Sequence, residues 1–255
     1  MILESLSINL PLLLAMVFII ALLYSSVGLG GGSAYTALLA IFGVAYTVIP
    51  GISLTLNLLV TFSGGINYIR RGHARLSLIL PFILASIPMS YIGGRIHLSS
   101  HIFYLLLLIS LIAVAIRIYA VPQLKMQLQL SNNLQILTST GIGALLGFIA
   151  GAVGIGGGVY LIPLIIILDL GNEKEAAASG SVFIFVNSLA GIFGRFHSGN
   201  YQFMEIAPLA VTVVVGGFIG SYFGAGRLKP EIMKKLLGVV IIIAIVMLAQ
   251  RMMLS

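Results

Sequence analysis

The sequence predicts an all-α polytopic membrane protein made of two inverted repeats, and three observations support this prediction. The chain is 60% hydrophobic and 7% charged, with a mean hydropathy of +1.17, whereas soluble domains are about 45 to 50% apolar and about 25% charged. Two Gly-rich strings, Gly28-Leu29-Gly30-Gly31-Gly32 and Gly154-Ile155-Gly156-Gly157-Gly158, recur 126 residues apart. Finally, basic residues occupy different loops in the two halves.

Eight apolar runs are long enough to cross about 30 Å of hydrocarbon. They are residues 8–27, 48–69, 76–96 and 101–119 in the first half, and 133–153, 176–197, 203–225 and 231–250 in the second. Two further runs, 33–42 and 159–168, have only ten residues each and would extend about 15 Å as helices. We therefore expect eight full-length transmembrane helices plus two short helices after the Gly-rich breaks, as half-helices, re-entrant segments or steep short crossings.

The duplication extends beyond the glycine strings. Positions separated by 127 residues match at Gly64 and Gly191, Gly72 and Gly199, Pro81 and Pro208, and Gly93 and Gly220. A polar linker at 122–133 then divides a first transmembrane repeat, 1–121, from a second, 134–255. We expect the two repeats to form one integrated membrane domain.

The charges predict the orientation of the repeats. The basic cluster of the first half, Arg70 to Arg75, precedes the 76–96 run, whereas that of the second half, Arg227 to Lys235, precedes the 231–250 run. Under the positive-inside rule, equivalent loops then lie on opposite sides of the membrane, so the short runs count as crossings and both termini lie outside. The net charge of +7 is explained by orientation rather than by an acidic partner. Arg95 and Arg195, near helix ends, are expected to reach the interface.

Several motifs together resemble the TauE/SafE family of sulfite exporters and anion permeases. They are the doubled Gly-rich string, Arg70-Arg71-Gly72-His73, Asn187-Ser188-Leu189-Ala190-Gly191, and Gly220-Ser221-Tyr222 leading to Leu228-Lys229-Pro230-Glu231. The resemblance covers nearly the whole chain. It implies a multi-pass permease of the cell inner (cytoplasmic) membrane that exports sulfite or a related sulfonate. An anion channel or an importer of the same fold is the alternative.

Matched breaks in two halves are typical of a transporter's substrate site, because broken helices free backbone donors there. A helix that starts after Gly32 or Gly158 presents unpaired N–H groups and a positive dipole end to an anion. Close helix packing at the glycines is the alternative. The candidate substrate-binding residues are Gly30, Gly31, Gly32, Ser33, Ser26, Tyr35, Asn57, Gly156, Gly157, Gly158, Tyr160 and Asn187. Asn57 and Asn187 stand out because an amide in an apolar span needs a partner, either a substrate or another helix.

Other classes of function are disfavoured by the composition. The chain has no cysteine, and its four histidines are separated along the sequence, so we expect no metal site and no cofactor. All six carboxylates lie at or near span boundaries, and no nucleotide-binding motif is present. We expect neither an enzyme nor a nucleic-acid partner. The expected partners are a small anion and the lipid bilayer, and the sequence leaves the oligomeric state open.

Overall fold

A computed structural model describes residues 10–119, 132–197 and 206–226, together with six isolated positions between 238 and 249. These residues form helices without any strand. The helices are α1 (Leu10–Ser26), α2 (Gly32–Ile41), α3 (Ile49–Arg70), α4 (Leu76–Arg95), α5 (Ser100–Tyr119), α6 (Asn132–Val153), α7 (Gly158–Ile167), α8 (Glu173–His197) and α9 (Ala207–Gly226).

The helix bounds follow the apolar runs of the sequence within four residues. Five helices in the described part of the chain, α3, α4, α6, α8 and α9, are long and apolar enough to cross a membrane, whereas α1 and α2 have 17 and 10 residues. The predicted run 231–250 lies outside the described residues except at isolated positions. The chain is therefore a multi-pass membrane protein of the predicted all-α class.

The two short helices each begin directly after a left-handed backbone turn. Gly31 has φ of 90° before α2, and Gly157 has φ of 75° before α7. Gly28, Gly154 and Gly156 are also left-handed. Residues with a Cβ rarely adopt this conformation, so the glycine strings determine where α1 and α6 end and where the short helices start.

Small residues bring the helices into close contact. The most extensive pairing joins α4 to α6, and the next joins α1 to α9. A Cβ at Gly147 in α6 would collide with the Ser86 carbonyl of α4, and one at Gly220 in α9 would collide with the Leu22 carbonyl of α1. In lipid the hydrophobic effect does not drive helices together, so van der Waals contact between closely packed backbones stabilises these pairs instead.

The contacts also give the relative directions of the helices. Leu54 adjoins Gly191 and Gly65 adjoins Ser181, so α3 and α8 run antiparallel at the centre. In the α1–α9 and α4–α6 pairs the contacting residue numbers rise together, so each pair is parallel. The same holds for α3–α9 and α4–α8. Helices α1, α3 and α9 therefore run in one direction, and α4, α6 and α8 run in the other.

Candidate functional site

The two glycine breaks meet between α3 and α8, at Asn57 and Ile184. A Cβ at Gly30 would lie 2.5 Å from Asn57 Oδ1 and 3.0 Å from Ile184 Cγ2. A Cβ at Gly156 would lie 2.8 Å from Ile184 Cγ2 and 2.9 Å from Asn57 Nδ2. One glycine of each break thus touches the same two side chains. We call this region, residues 28–32 and 154–158 with Asn57 and Ile184, the junction.

Asn57 is the central polar group of the junction. Its side chain is fully buried, and neither Oδ1 nor Nδ2 has a hydrogen-bond partner among the described residues. It also adjoins Gly32, whose missing Cβ leaves the space that the amide occupies. A buried polar group without a partner costs about 1 to 3 kcal/mol. Such a group beside two backbone breaks is a candidate ligand-binding group.

Three buried hydroxyls surround the first break. The Tyr35 hydroxyl has no hydrogen-bond partner in the described part of the chain, and those of Tyr24 and Ser33 have none except each other. Tyr24 lies in the last turn of α1, and its hydroxyl lies close to that of Ser33 in the first turn of α2. The ring of Tyr35 lies against Gly31, where a Cβ would be 2.8 Å from it. Donors for an anion are therefore concentrated around the first break.

The Ser53 hydroxyl lies within hydrogen-bond distance of backbone carbonyls in both breaks. Its Oγ lies 3.0 Å from the carbonyl oxygen of Gly32 and 2.9 Å from that of Gly154, and it accepts a 2.9 Å hydrogen bond from Thr36. The sequence analysis missed Ser53. The available signal was its position one helical turn before Asn57, on the same face of α3.

The carbonyls at the ends of α6 and α1 are bound by side chains. Arg195 donates to the carbonyls of Gly151 at 3.0 Å and Ala152 at 2.8 Å, directly before the second break. Tyr68 donates to the Ser26 carbonyl at 2.6 Å, directly before the first. Arg195 is only 4% exposed, so it does not reach the interface as the sequence analysis expected. The unpaired carbonyls at the end of α6 explain its burial.

Two predicted site residues use their hydroxyls elsewhere. Ser26 donates to the Leu23 carbonyl of its own helix at 2.6 Å. Tyr160 lies in α7, but its hydroxyl faces Ser110 of α5. The glycines Gly30 to Gly32 and Gly156 to Gly158, with Ser33, Tyr35 and Asn57, are the predicted residues that the fold places at the breaks.

Asn187 is buried one helical turn beyond Ile184 on α8. Its side-chain Nδ2 donates to the Phe183 carbonyl at 2.8 Å, and its backbone carbonyl accepts a hydrogen bond from the Ser90 hydroxyl of α4 at 2.7 Å. Its Oδ1 has no partner among the described residues. Unlike Asn57, its side chain is not among the atoms nearest to the break glycines.

A cavity of about 100 Å³ lies beside the second break. It is lined by Tyr46, Thr47, Pro50, Ile96, His97, Leu98, Phe103, Ala152 and Arg195. Pro50 also packs against Gly154, where a Cβ would lie 2.6 Å from its Cα. The cavity thus reaches the edge of the junction. No group of three His, Asp or Glu side chains suited to a metal occurs in the described ranges.

Comparison with known proteins gives one family and several relatives. The family model described as Sulfite exporter TauE/SafE matches residues 13–248. The probable membrane transporter protein y4hK of Sinorhizobium fredii is 29% identical over 229 residues, which cover 89% of this chain and 93% of that protein. The probable membrane transporter protein YjnA of Bacillus subtilis is 23% identical over 233 residues, with 85% and 91% covered. No solved structure matches the chain significantly.

Proposed function

The chain belongs to the TauE/SafE sulfite exporter family, and we propose that it is a permease that exports a small oxyanion, sulfite or a related sulfonate, by alternating access across the cell inner membrane. One observation carries the proposal. The two backbone breaks meet at Asn57, whose amide is buried without a partner among the described residues, as is the Tyr35 hydroxyl, and the buried hydroxyls of Tyr24 and Ser33 have none except each other. The relatives y4hK and YjnA bear the name of probable membrane transporters, which agrees with this function.

The donor set suits an oxyanion. An amide N–H₂ and three hydroxyls can donate to the oxygens of one small anion. The first N–H groups of α2 and α7, with the positive ends of their dipoles, add to this attraction. A site of neutral donors binds the anion without a fixed counter-charge, so release on the other side stays possible. Because a hydroxyl or amide nucleophile would need an adjacent base, this set favours transport over catalysis.

Helices of each half pack mainly against helices of the other half, and this supports an inverted-repeat architecture. The main contact of α4 is with α6 of the second half, and that of α9 is with α1 of the first. Gly28 packs against Ala177, and the equivalent Gly154 packs against Pro50. Because α1 and α3 run in the same direction, the first break and α2 must return the chain across the membrane. The same reasoning applies to α6, α7 and α8, so both short helices count as crossings and the first repeat, α1 to α5, has five.

Charge distribution supports a cytoplasmic location for the end at which α3 and α9 finish. Arg71 lies beside Gly226, where a Cβ would be 2.6 Å from the guanidinium. The second basic cluster, Arg227 to Lys235, starts at the next residue but lies outside the described residues. Under the positive-inside rule we expect both basic clusters on the cytoplasmic side. The inside-negative potential then drives a monovalent anion outward with about 2.3 kcal/mol per 100 mV.

Flux in proteoliposomes tests the proposal. We expect purified protein to transport sulfite or a short sulfonate and to exclude cations, and we expect Asn57→Ala to reduce the rate by about tenfold or more through loss of donor contacts. Asn67→Ala is the matched control, because Asn67 is a buried amide of the same helix that is already bonded to Ser221 at 2.8 Å. Cation flux without oxyanion flux, or equal rates for Asn57→Ala and Asn67→Ala, would contradict the proposal.

A further inference from the structure

A second cavity lies where α4 and α6 begin, at the end of the helices opposite to the cavity beside Arg195. Its volume is about 280 Å³. Its polar lining residues are Arg75 and Ser77 at the start of α4, and Gln135 and Ser139 in the first two turns of α6. The rest of its lining is apolar. This space therefore combines a cation and neutral hydrogen-bonding groups with hydrocarbon, and it is separate from the junction.

Ser139 is a buried polar group that lines this cavity. The residue is only 5% exposed, and its hydroxyl forms no hydrogen bond with another described residue. Gln135 lies one helical turn earlier on the same face, and its half-buried amide likewise has no partner in the described ranges. Because buried polar groups in folded proteins normally have partners, the Ser139 hydroxyl indicates that a ligand occupies the cavity.

The start of α4 adds positive charge to the same space. Arg75 precedes the helix, and no side chain caps it, so its first N–H groups lack acceptors. The contacts of Arg75 are long, since its Nη1 lies 3.5 Å from the Leu170 carbonyl and 3.9 Å from the Glu175 carboxylate. The other oxygen of Glu175 accepts the Asn172 N–H at 2.8 Å. Most guanidinium donors of Arg75 therefore remain available, and together with the helix start they suit a phosphate group.

Apolar side chains separate this cavity from the junction. Leu78 and Phe82, which line it, are buried in a cluster with Leu161 of α7 and Phe183 of α8. Gly143 of α6 packs directly on the Phe82 carbonyl, so the backbones of α4 and α6 are in contact where the cavity ends. An anion would have to cross this apolar region without hydrogen-bond partners to reach Asn57. The cavity is therefore not a stretch of the proposed transport path.

The outer surface beside the cavity is apolar. Leu76 and Leu80 of α4 and Ile136 and Leu137 of α6 are exposed, and in a multi-pass membrane protein such a surface contacts acyl chains. Ile136 also lines the cavity. The polar groups of the cavity are thus next to a surface that hydrocarbon chains cover.

We infer that this cavity binds an anionic phospholipid of the cytoplasmic leaflet. Its phosphate lies against Arg75, Ser139 and the start of α4, and its acyl chains lie against the exposed apolar side chains of α4 and α6. The Arg75 end is the proposed cytoplasmic side, where anionic headgroups are concentrated and where basic sites between transmembrane helices bind them. The inference goes beyond the proposed function and takes only its orientation from it. The lipid joins a helix of the first half to one of the second, so binding stabilises that pair.

Native mass spectrometry of the purified chain tests the inference by measuring lipid binding to the intact protein. The probes are phosphatidylglycerol, phosphatidylcholine and inorganic phosphate. We expect the dissociation constant of phosphatidylglycerol to be about tenfold lower than that of phosphatidylcholine, because the lipid with net negative charge meets Arg75. Equal constants would overturn the inference. Displacement of phosphatidylglycerol by inorganic phosphate at equal concentration would also overturn it, because the site would then hold a free anion. Neither result bears on flux, so the proposed function would stand.

Paired variants locate the bound lipid. We expect Arg75→Gln to weaken phosphatidylglycerol binding by about tenfold. Arg70→Gln is the matched control and should keep the wild-type constant, because Arg70 is an exposed arginine of the same basic cluster that does not line the cavity. Ser139→Leu fills the cavity and should weaken binding by a similar factor, whereas Thr138→Leu changes an exposed neighbour and should not.

The binding constants are measured on folded protein, so a lower yield of one variant does not change the comparison. Equal affinities of Arg75→Gln and Arg70→Gln for phosphatidylglycerol would contradict the assignment of Arg75 to the phosphate. Wild-type affinity in Ser139→Leu would place the lipid outside the cavity and overturn the inference.

Discussion

Among single residues, Gly31 and Gly157 combine a special backbone with tight surroundings. Their φ angles are 90° and 75°, and a Cβ would lie 2.8 Å from the Tyr35 ring or the Phe183 ring, respectively. Gly72 has a φ of 73° as well, but nothing lies within 4 Å of its Cβ position. The three positions therefore share the backbone cost of a side chain, about 1 to 2 kcal/mol. Only the two in the breaks add a steric conflict.

We predict that Gly31→Ala and Gly157→Ala each lower flux by about tenfold or more, because the added methyl group displaces an aromatic ring beside the junction. Gly72→Ala should lose a similar amount of stability from backbone strain and keep its flux. Flux per folded protein, with thermal unfolding as the measure of stability, separates the two effects. Wild-type flux in both Gly31→Ala and Gly157→Ala would show that the glycine strings are not part of the transport site.

The sequence analysis predicted the same substrate-binding role for Asn57 and Asn187, since both are amides in apolar helices. The residue 127 positions after Asn57 is Ile184, and the residue 127 positions before Asn187 is Val60. The two amides therefore do not correspond, and only helix contacts reveal that Asn57 adjoins both breaks. Ser53 escaped prediction because serines in helices commonly bond their own backbone. Its bond to a carbonyl 101 residues away depends on tertiary structure.

At the level of helices, the two halves close the ends of α1 and α6 with different side chains. Tyr68 and Arg195 are 127 residues apart, and their acceptors Ser26 and Ala152 are 126 apart. Equivalent positions thus bind equivalent carbonyls with a neutral phenol in one half and a cation in the other. Charged donors form the stronger hydrogen bonds.

We predict that Arg195→Met destabilises the protein by about 2 to 4 kcal/mol, because the carbonyls of Gly151 and Ala152 lose their donor. Arg95→Met is the control. Arg95 is exposed and lies 5.8 Å from the Tyr91 ring centre, and such a cation–π contact contributes about 0.5 to 1 kcal/mol. Thermal unfolding in detergent compares the two variants. Similar losses would show that the carbonyl bonds of Arg195 contribute little.

The α4–α6 pairing provides a prediction about packing. Gly147 faces the Ser86 carbonyl, whereas Gly141 of the same helix has nothing within 4 Å of its Cβ position. Gly147→Ala should force the helices apart and cost about 1 to 3 kcal/mol. Gly141→Ala should be neutral or stabilising by up to about 1 kcal/mol. Unfolding midpoints of the two variants test this, and equal midpoints would contradict the close contact.

Hydropathy and glycine breaks were sufficient to predict the helices, but not their partners. Apolar length and the glycine strings are local signals, so the bounds of α1 to α9 follow from the sequence within a few residues. The pairing of α4 with α6 joins segments from different repeats, and glycines on a helix do not specify which neighbour they contact. The position of Asn57 beside both breaks likewise depends on tertiary contacts.

On the scale of the whole molecule, several charged residues of the described part of the chain lie together at one end of the helices. Arg70 ends α3 and Arg71 and Arg75 follow it, and Lys174 lies in the first turn of α8 at the same end, where Arg75 lies 3.9 Å from Glu175. Arg95 ends α4 at the opposite end. Because α3 and α8 are antiparallel, the proposed inverted repeats would place the cytoplasmic side of one repeat at the external side of the other.

Labelling of single cysteines tests this orientation, since the chain has no cysteine of its own. Ala74, Lys174 and Ser100 are exposed, the first two near the Arg75 end and the third in the first turn of α5. We predict that Ala74→Cys and Lys174→Cys react with a membrane-impermeant thiol reagent only when it reaches the cytoplasmic face, because positive loops stay inside. Ser100→Cys should react only from outside.

If Ala74→Cys and Ser100→Cys were labelled from the same face, α4 would not cross the membrane and the five-crossing repeat would be wrong. If all three cysteines were labelled from the face opposite to the predicted one, the proposed architecture would stand, but the positive-inside argument for the direction of anion flow would fail.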